Sequence, residues 1–154
     1  MVSHKNIEKF ALISVFDKFN INRLCYNLKK FKIGIISTGS TYKKIKSLGF
    51  DCFEVSTLTN FEEILDGRVK TLHHKIYSSI LFDRNKTSHL KTFKKIKFPK
   101  IDFVIVNLYP FKKVSNETKE EREIIEMIDI GGSALIRSSS KNYNSVTAIS
   151  SPKD

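Results

Sequence analysis

Short hydrophobic runs alternate along this chain with segments in which hydrophobic residues recur every three or four positions. The runs have the length of strands buried on both faces, and they lie at residues 10–15, 33–36, 52–55, 103–106 and 146–149. Helical spacing predicts helices at residues 20–30, 87–97, 117–128 and 134–140, one between Thr41 and Gly49, and one or two helical turns at 61–65. This alternation predicts a three-layer α/β/α fold with a mainly parallel sheet and helices on both faces.

Local signals mark the ends of several predicted helices. Asn20 precedes the first helix and is a residue type that caps helix N-termini. Gly49 suits a helix C-terminus, because glycine readily adopts the left-handed conformation found there. Acidic residues in the first turns of the helix at 117–128 complement its dipole, and residues 129–132 are expected to break it.

The composition is that of a globular protein from a reducing compartment. A chain of 154 residues fits one domain, and 40% hydrophobic with 28% charged residues excludes a disordered protein. Cys25 and Cys52 are too few for a disulfide scaffold, and both are expected to be unreactive thiols in the core. No apolar run is long enough for a membrane helix, and the polar N-terminus has no secretory signal. We therefore expect a cytoplasmic protein with no membrane partner.

The net charge of +11 raises the question of nucleic-acid binding. The positive residues are 22 Lys and only 5 Arg, whereas a dedicated nucleic-acid surface more often uses Arg for bidentate contacts. Most of the Lys are scattered, and the one patch is interpreted as the solvated face and exit of a helix: Lys91, Lys94, Lys95, Lys97 and Lys100. No nucleic-acid partner is expected, and an acidic small-molecule substrate would explain part of the charge equally well.

A polar segment follows the second predicted strand. Ligands of parallel α/β sheets bind beyond the carboxyl ends of the strands. Residues 37–41, Ser-Thr-Gly-Ser-Thr, lie between a strand and a helix, where backbone N–H groups and hydroxyls can hold an anion. The same residues also suit an ordinary helix N-cap, and they form neither a Walker loop nor a GxGxxG fingerprint.

Residues 66–74, Asp-Gly-Arg-Val-Lys-Thr-Leu-His-His, combine a turn with a cluster of basic side chains. Arg68 can hold a phosphate or carboxylate in a fork, and Lys70 can act as a point charge or, when desolvated, as an acid–base group. His73 and His74 are not expected to bind a metal, because adjacent side chains point apart and no acid or Cys completes the ligand set. A solvated basic loop would have the same composition.

Two further segments offer polar side chains next to predicted elements. Asn107-Leu108-Tyr109-Pro110-Phe111 follows the most apolar strand, so Asn107 and Tyr109 could orient a substrate or stabilise an oxyanion. Asp129-Ile130-Gly131-Gly132 places a carboxylate before another helix. A strand end and a helix–helix turn would explain the same residues, and no Ser/His/Asp triad signature is present.

The order of these segments along the chain resembles one family, the N-terminal IMP cyclohydrolase part of the bifunctional purine-biosynthesis proteins called PurH. The segments that carry the resemblance are residues 14–18, 37–41, 66–73, 107–111 and 128–132, followed by Lys141-Asn142. The resemblance covers about Phe10 to Asp154. It implies a methylglyoxal-synthase-like domain over residues 1–154 that closes the purine ring, converting the formamido-imidazole-carboxamide ribonucleotide FAICAR to IMP and water with no metal or cofactor.

The resemblance also implies which residues form the site. The expected acid–base and oxyanion groups are Lys70, Tyr109, Asp129 and Lys141, with Lys141 matching the proton donor/acceptor of the family. Asp129 would orient or deprotonate the amide, and Lys70 or Tyr109 would stabilise the formyl oxygen. Substrate contacts are expected from Phe16, Asp17, Lys18, Thr38, Gly39, Ser40, Thr41, Arg68, Val69, Thr71, Asn107, Leu108, Ile130 and Gly131, with the phosphate held by residues 38–41.

This sequence departs from the usual family pattern at four positions. Phe16 stands where the family has Ser, which removes a hydroxyl beside the substrate. Ser40 stands at the second glycine of the anion loop and requires either a positive φ or a shifted backbone. His74 replaces a Pro, and Tyr143 replaces a His.

The resemblance leaves partners and two other functions open. The transformylase domain of the family has no counterpart in these residues, so a homodimer or a separate AICAR transformylase is an expected partner. A methylglyoxal-synthase-like lyase or regulatory domain would share the phosphate loop, but not the three segments at 68–73, 107–111 and 129–132 together. A nucleic-acid-binding domain would lose affinity steeply with salt.

Overall fold

The computed structural model describes residues 7–153, and its core is one parallel sheet. The strands are β1 (Lys9–Val15), β2 (Ile33–Ser37), β3 (Phe53–Glu54), β4 (Ile101–Asn107) and β5 (Thr147–Ile149). They lie in the order β3-β2-β1-β4-β5, and each neighbouring pair is parallel. The central strand is β1, in which Ala11 pairs with Ile35 on one side and with Phe103 on the other.

Helices cover both faces of this sheet, so the predicted three-layer α/β/α fold is confirmed. They are α1 (Ile21–Lys30), α2 (Gly39–Ser47), α3 (Val55–Thr59), α4 (His74–Leu81), α5 (Thr87–Ile96), α6 (Phe111–Glu117), α7 (Glu121–Glu126) and α8 (Ile130–Lys141). Neighbouring residues of β1 point to opposite faces. Leu12 packs with residues of α4 and α8, whereas Ile13 packs with residues of α1 and α2.

All five predicted strands are present, and two are shorter than expected: β5 lacks Val146, and β3 has only two residues. The run at residues 52–55 forms only the two residues of β3, because Val55 already begins α3. The strands predicted most clearly, β1 and β4, are also the most completely buried, with Leu12 and Val104 both inaccessible to solvent. A continuous hydrophobic run identifies a strand well when both faces of the sheet are covered.

The helices differ from the prediction more than the strands do. The predicted turns at 61–65 are wrong, because Leu65 and Asp66 have left-handed backbones and Ile64 forms an antiparallel bridge with Val69. The helix predicted at 117–128 is shorter and forms only α7, because Thr118 is extended and its hydroxyl accepts a hydrogen bond from the backbone of Glu120. Helices α3, α4 and α6 were not predicted, and α8 begins four residues earlier than the predicted 134–140.

Two predicted helix-end residues behave differently. Asn20 occupies the N-cap position of α1, but its φ is 59° and its side chain makes no capping hydrogen bond, so that part of the prediction is wrong. Gly49 follows the end of α2 with a φ of +80°, and its N–H donates to the carbonyl of Lys46. The left-handed glycine predicted at this helix end is confirmed.

Cys25 and Cys52 are free thiols, as expected. Burial raises the pKa of Cys25 to about 11. For Cys52, burial and then the neighbouring Cys25 raise the pKa to about 12. Both thiols stay protonated at neutral pH, and a protonated thiol is a poor nucleophile.

The lysine patch lies on a helix and the residues that follow it, as predicted. Lys91, Lys94 and Lys95 are on the exposed side of α5, and Lys97 follows the helix. Lys100 is half-buried and its ammonium lies 3.6 Å from the carboxylate of Asp102. The patch is therefore a solvated helix face, as predicted.

Candidate active site

A cavity of about 350 Å³ opens where the carboxyl end of β1 meets the segments that follow β2 and β4. Eight of the residues expected in the site line it: Thr38, Arg68, Lys70, Thr71, Tyr109, Asp129, Ile130 and Gly131. They come from four separate segments of the chain. The parallel topology brings them together, because the carboxyl ends of parallel strands lie at one edge of the sheet.

The N-terminus of α2 forms one wall of this cavity. Thr38 is extended and makes no side-chain cap, and Gly39 has a φ of +55°. The first N–H groups of the helix therefore have no side-chain cap from Thr38, and the helix dipole adds positive potential. The ammonium of Lys70 lies 3.5 Å from the position that a Cβ on Gly39 would occupy. This combination of free amides and a nearby cation suits an anionic group.

A tight turn places Lys70 beside the N-terminus of α2. Leu65, Asp66 and Gly67 have consecutive positive φ angles of 54°, 52° and 84°. The Lys70 side chain folds over the turn so closely that a Cβ on Gly67 would lie 2.5 Å from its Cε. The ammonium also lies 3.7 Å from the carboxylate of Glu63, which precedes the turn. The backbone of this loop therefore fixes where the lysine charge is placed.

Gly67→Ala is expected to weaken ligand binding in the cavity, because it displaces Lys70. The new methyl group would occupy the space of the lysine side chain, and alanine at a left-handed φ costs about 1–2 kcal/mol. Gly49→Ala is the matched control, because Gly49 has a similar φ of +80° with nothing within 4 Å of its Cβ position. Thermal unfolding should show similar losses of stability for both variants, and only Gly67→Ala should bind ligand more weakly. Equal binding by the two variants would contradict this placement of Lys70.

Asp129 sits at the start of α8 and faces the cavity. Its Oδ1 accepts a hydrogen bond of 2.6 Å from the backbone N–H of Gly132, so the carboxylate caps the helix. A Cβ on Gly132 would lie 2.5 Å from Oδ2 of Asp129, and one on Gly131 would lie 2.9 Å from the hydroxyl of Thr71. The two glycines allow this close approach, which holds the carboxylate in one orientation.

Tyr109 is a hydrogen-bond donor at the side of the cavity. Burial, and secondly the charge of Asp129, raise the pKa of Tyr109 above its usual 10, so the phenol is protonated at neutral pH. The ring of Phe16 packs edge-on against the ring of Tyr109 with 5.5 Å between centroids. Phe16 therefore contacts Tyr109, which lines the cavity, but Phe16 itself does not line it.

Asn107 holds a loop in place. Its Oδ1 accepts hydrogen bonds from the backbone N–H groups of Phe16 and Asp17, at 2.6 and 3.0 Å. Its Nδ2 donates to the carbonyl of Asp17 at 2.7 Å. Asn107 and Asp17 lie outside this cavity and line a second groove of about 400 Å³ beside α1. The amide therefore positions Phe16, which in turn contacts Tyr109.

Three other expected substrate contacts are engaged elsewhere. Thr41 is buried, and its hydroxyl donates to the carbonyl of Val15 at 2.9 Å. Lys18 turns back onto its own loop and donates to the carbonyl of Phe16 at 3.0 Å. Val69 forms the bridge with Ile64.

The remaining two expected contacts are exposed. Ser40 lies in the first turn of α2, and the positive φ in this loop belongs to Gly39, so Ser40 needs no strained backbone. Leu108 is exposed, and its Cδ2 lies 2.9 Å from the Cβ position of Gly132. Neither residue lines the cavity, nor does Gly39, although Leu108 directly precedes Tyr109, which does.

Lys141 is not brought to the cavity. It is the last residue of α8, which begins beside Asp129 and has 12 residues. A helix of this length separates its ends by about 16 Å. Lys141 instead borders a shallow depression with Leu81, Ile136 and Arg137.

The rings of the two neighbouring histidines lie in contact at a tilt of 32°, so the expectation that they point apart is wrong. The ring centroids of His73 and His74 lie 4.4 Å apart. Nδ1 of His73 accepts from the N–H of Lys75 and caps α4. Burial first, and then His74 and Lys75, lower the pKa of His73. Among residues 7–153, no group of three His, Cys, Asp or Glu is placed to hold a metal ion.

The sequence model of one family, the MGS-like domain, matches residues 20–134. The match covers most of the chain. The chain belongs to the MGS-like domain family.

Curated relatives of this MGS-like domain are bifunctional purine biosynthesis proteins PurH. The protein of Fusobacterium nucleatum is 48% identical and that of Clostridioides difficile 47% identical, each over 148 residues and 96% of this chain. The chain spans only 29% of the length of either relative. It resembles their N-terminal domain.

The crystal structure of ForH has a similar fold. It superimposes with a TM-score of 0.82 and 28% identity, over 95% of this chain and 74% of the ForH chain. Within the part of the chain that the structure describes, no helix is long and apolar enough to cross a bilayer.

Seven cavity residues of this MGS-like domain were not among the expected site residues. They are Ser14, Asp66, Gly67, Ile125, Glu126, Ile128 and Gly132. Ser14, Asp66, Gly67, Ile128 and Gly132 belong to the sequence segments that carry the resemblance, so their signal was available. Ile125 and Glu126 lie on α7, which carries no motif and buries none of its own residues.

Proposed function

We propose that this domain is an IMP cyclohydrolase of purine biosynthesis, which closes the second ring of FAICAR to give IMP and water. The observation that carries the proposal is the presence of Lys70, Tyr109 and Asp129 around one cavity beside the open N-terminus of α2. The relatives from Fusobacterium nucleatum and Clostridioides difficile are bifunctional purine biosynthesis proteins, which supports the pathway. The reaction step itself is inferred from the site.

The phosphate of the nucleotide is proposed to lie at the start of α2. The free N–H groups after Thr38 and the ammonium of Lys70 offer hydrogen bonds and positive charge to the same point. Arg68 is a second cation at the cavity, contributed by the same loop. A phosphate held there directs the rest of the ligand along the cavity toward Asp129.

Asp129 and Tyr109 are proposed to act on the two reacting arms. The carboxamide nitrogen of FAICAR attacks the formyl carbon, forming one C–N bond and losing a proton, and the formyl oxygen gains that proton. Loss of this hydroxyl with the N–H proton of the formamide gives water and the C=N bond. Asp129 can orient the amide and accept its proton, and protonated Tyr109 can donate to the oxygen.

Holding the two arms together is a large part of the proposed catalysis. The reaction is intramolecular, so a cavity that fixes both arms in a reactive conformation supplies much of the acceleration. The residues around Asp129 hold its carboxylate in place, which would help to fix one arm of the substrate. The close packing of Gly131 against Thr71 and of Gly132 against Asp129 leaves the carboxylate little freedom.

A second candidate function is a phosphate-ligand-binding or regulatory domain without turnover. The position of Lys141 favours it, because the expected proton donor/acceptor lies at the far end of α8, away from the cavity. Such a domain would keep the anion site at α2 and Lys70 and would bind IMP without cyclising FAICAR.

One experiment separates these functions. The purified chain is given FAICAR and IMP formation is followed, while IMP binding is measured by calorimetry with Lys70→Ala beside the wild type. Turnover that Lys70→Ala abolishes supports the cyclohydrolase. IMP binding without turnover supports the ligand-binding domain, and absence of both contradicts each proposal.

Lys141→Ala is expected to leave IMP affinity within about twofold of wild type. Its backbone lies about 16 Å along α8 from Ile130, and Lys141 does not line the cavity, so no direct hydrogen bond to bound nucleotide is expected. The resemblance predicts instead a strong loss of turnover, so both quantities are measured on the same preparation. Weakened IMP binding by Lys141→Ala would contradict the position of this side chain.

A further inference from the structure

An ion pair crosses the mouth of the candidate active site. A guanidinium nitrogen of Arg68 donates a hydrogen bond to Oε1 of Glu126, and both residues line the cavity. Arg68 comes from the turn that follows α3, and Glu126 is the last residue of α7, 58 positions later in the sequence. Their side chains are 65% and 43% exposed, so the pair is open to solvent and to an entering ligand.

The charged side chains that line the cavity sum to a net negative charge. Three carboxylates line it, from Asp66, Glu126 and Asp129, against the two cations of Arg68 and Lys70. A phosphate monoester brings up to two further negative charges. Its entry is therefore easier when a cation is released from a carboxylate or a carboxylate moves away.

Glu126 is the carboxylate best placed to move. Asp129 is held by its hydrogen bond to Gly132. Glu126 makes no such bond within its own helix, and α7 buries none of its residues, so turning its side chain away disturbs no core packing. A guanidinium presents the same planar fork to a carboxylate and to a phosphate, which makes the two groups competitors.

We propose that Glu126 is the resident counter-ion of Arg68 and competes with the anionic group of the ligand for it, which sets the affinity of the site for nucleotide. This deepens the proposed function, on which the identity of the nucleotide rests. The same competition favours release of the product, because the carboxylate replaces the departing phosphate at Arg68. Glu126 acts through Arg68, so it sets affinity without a part in the chemical step.

Glu126→Gln tests the competition with little change in shape. Removing the charge frees Arg68, and the affinities for inorganic phosphate and for IMP are expected to rise by about twofold to fivefold, an effect that high salt reduces. The KM for FAICAR is expected to fall with kcat unchanged or lower. The control is Glu121→Gln, which removes the same charge from α7 at a position outside the cavity and is expected to leave affinity unchanged.

A third variant shows whether Glu126 acts through Arg68. In an Arg68→Ala background, adding Glu126→Gln is expected to give no more than a small gain in phosphate affinity. A gain as large as in the wild-type background would overturn the proposed competition, and so would unchanged or weaker phosphate binding by Glu126→Gln alone. The phosphate titration decides this independently of the cyclohydrolase assay. Absent FAICAR turnover with the expected gain in phosphate affinity would therefore reject the proposed function and keep the role of Glu126.

Discussion

Lys70→Ala is expected to lower kcat/KM for FAICAR cyclisation by at least about 100-fold, the scale of losing one preorganised charge at a developing or bound anion. The ammonium is placed beside Gly39 by the left-handed turn at residues 65–67 and has no substitute among the cavity residues except Arg68. Steady-state kinetics with IMP calorimetry measure the effect. The variant is expected to stay folded, because the side chain is partly exposed and contributes to no core cluster.

The division of the loss between binding and turnover identifies the role of Lys70. If the ammonium holds the phosphate at α2, IMP affinity falls together with kcat/KM. If it stabilises the formyl oxygen, kcat falls and IMP affinity is retained. Lys43→Ala on the exposed side of α2 removes the same charge outside the cavity and is expected to change neither quantity strongly. A Lys70→Ala variant with near-normal kcat/KM would remove this residue from the mechanism.

Asp129→Asn and Asp129→Ala are expected to separate chemistry from helix capping. Asparagine can still accept the hydrogen bond from Gly132 but is a very weak base, so turnover should fall by about 100-fold or more while stability is nearly unchanged. Alanine removes both functions, and loss of the cap should cost about 1 kcal/mol of unfolding free energy in addition.

Kinetics and chemical denaturation of the two Asp129 variants test this directly. Asp129→Asn retaining near-normal turnover would show that the carboxylate is only a cap. Equal losses of stability in both variants would show that the asparagine does not replace the cap. The kinetic comparison would then no longer separate the chemical role of Asp129 from its capping role.

The fold was largely predictable because its strands are buried on both faces. The hydrophobic runs that contain Leu12 and Val104 identify β1 and β4, and parallel topology then brings the segments after β2 and β4 to one edge. Periodicity and general rules of α/β topology predicted this edge as the place where ligands bind. The assignment of Lys70, Tyr109 and Asp129 to one site was implied by the family resemblance, because their segments taken alone were also compatible with a solvated loop, a strand end and a helix–helix turn.

The parts that sequence reasoning missed depend on contacts between distant residues or on backbone strain. No sequence pattern around Glu126 indicates that it pairs with Arg68, because the contact joins two segments that are 58 positions apart in the chain. The left-handed φ of Leu65 is also invisible in the sequence, because leucine rarely adopts it. Lys141 was expected in the site from resemblance alone, and spacing along a helix of 12 residues already separates it from Asp129.

The turn at residues 65–67 has a consequence for engineering this domain. Two of its left-handed residues, Leu65 and Asp66, are not glycine, and such conformations store free energy that the rest of the fold must offset. Glycine at Leu65 would relax the backbone, yet it would also loosen the loop that fixes the lysine charge. Selection for thermostability and selection for catalytic rate should therefore choose different residues at this position.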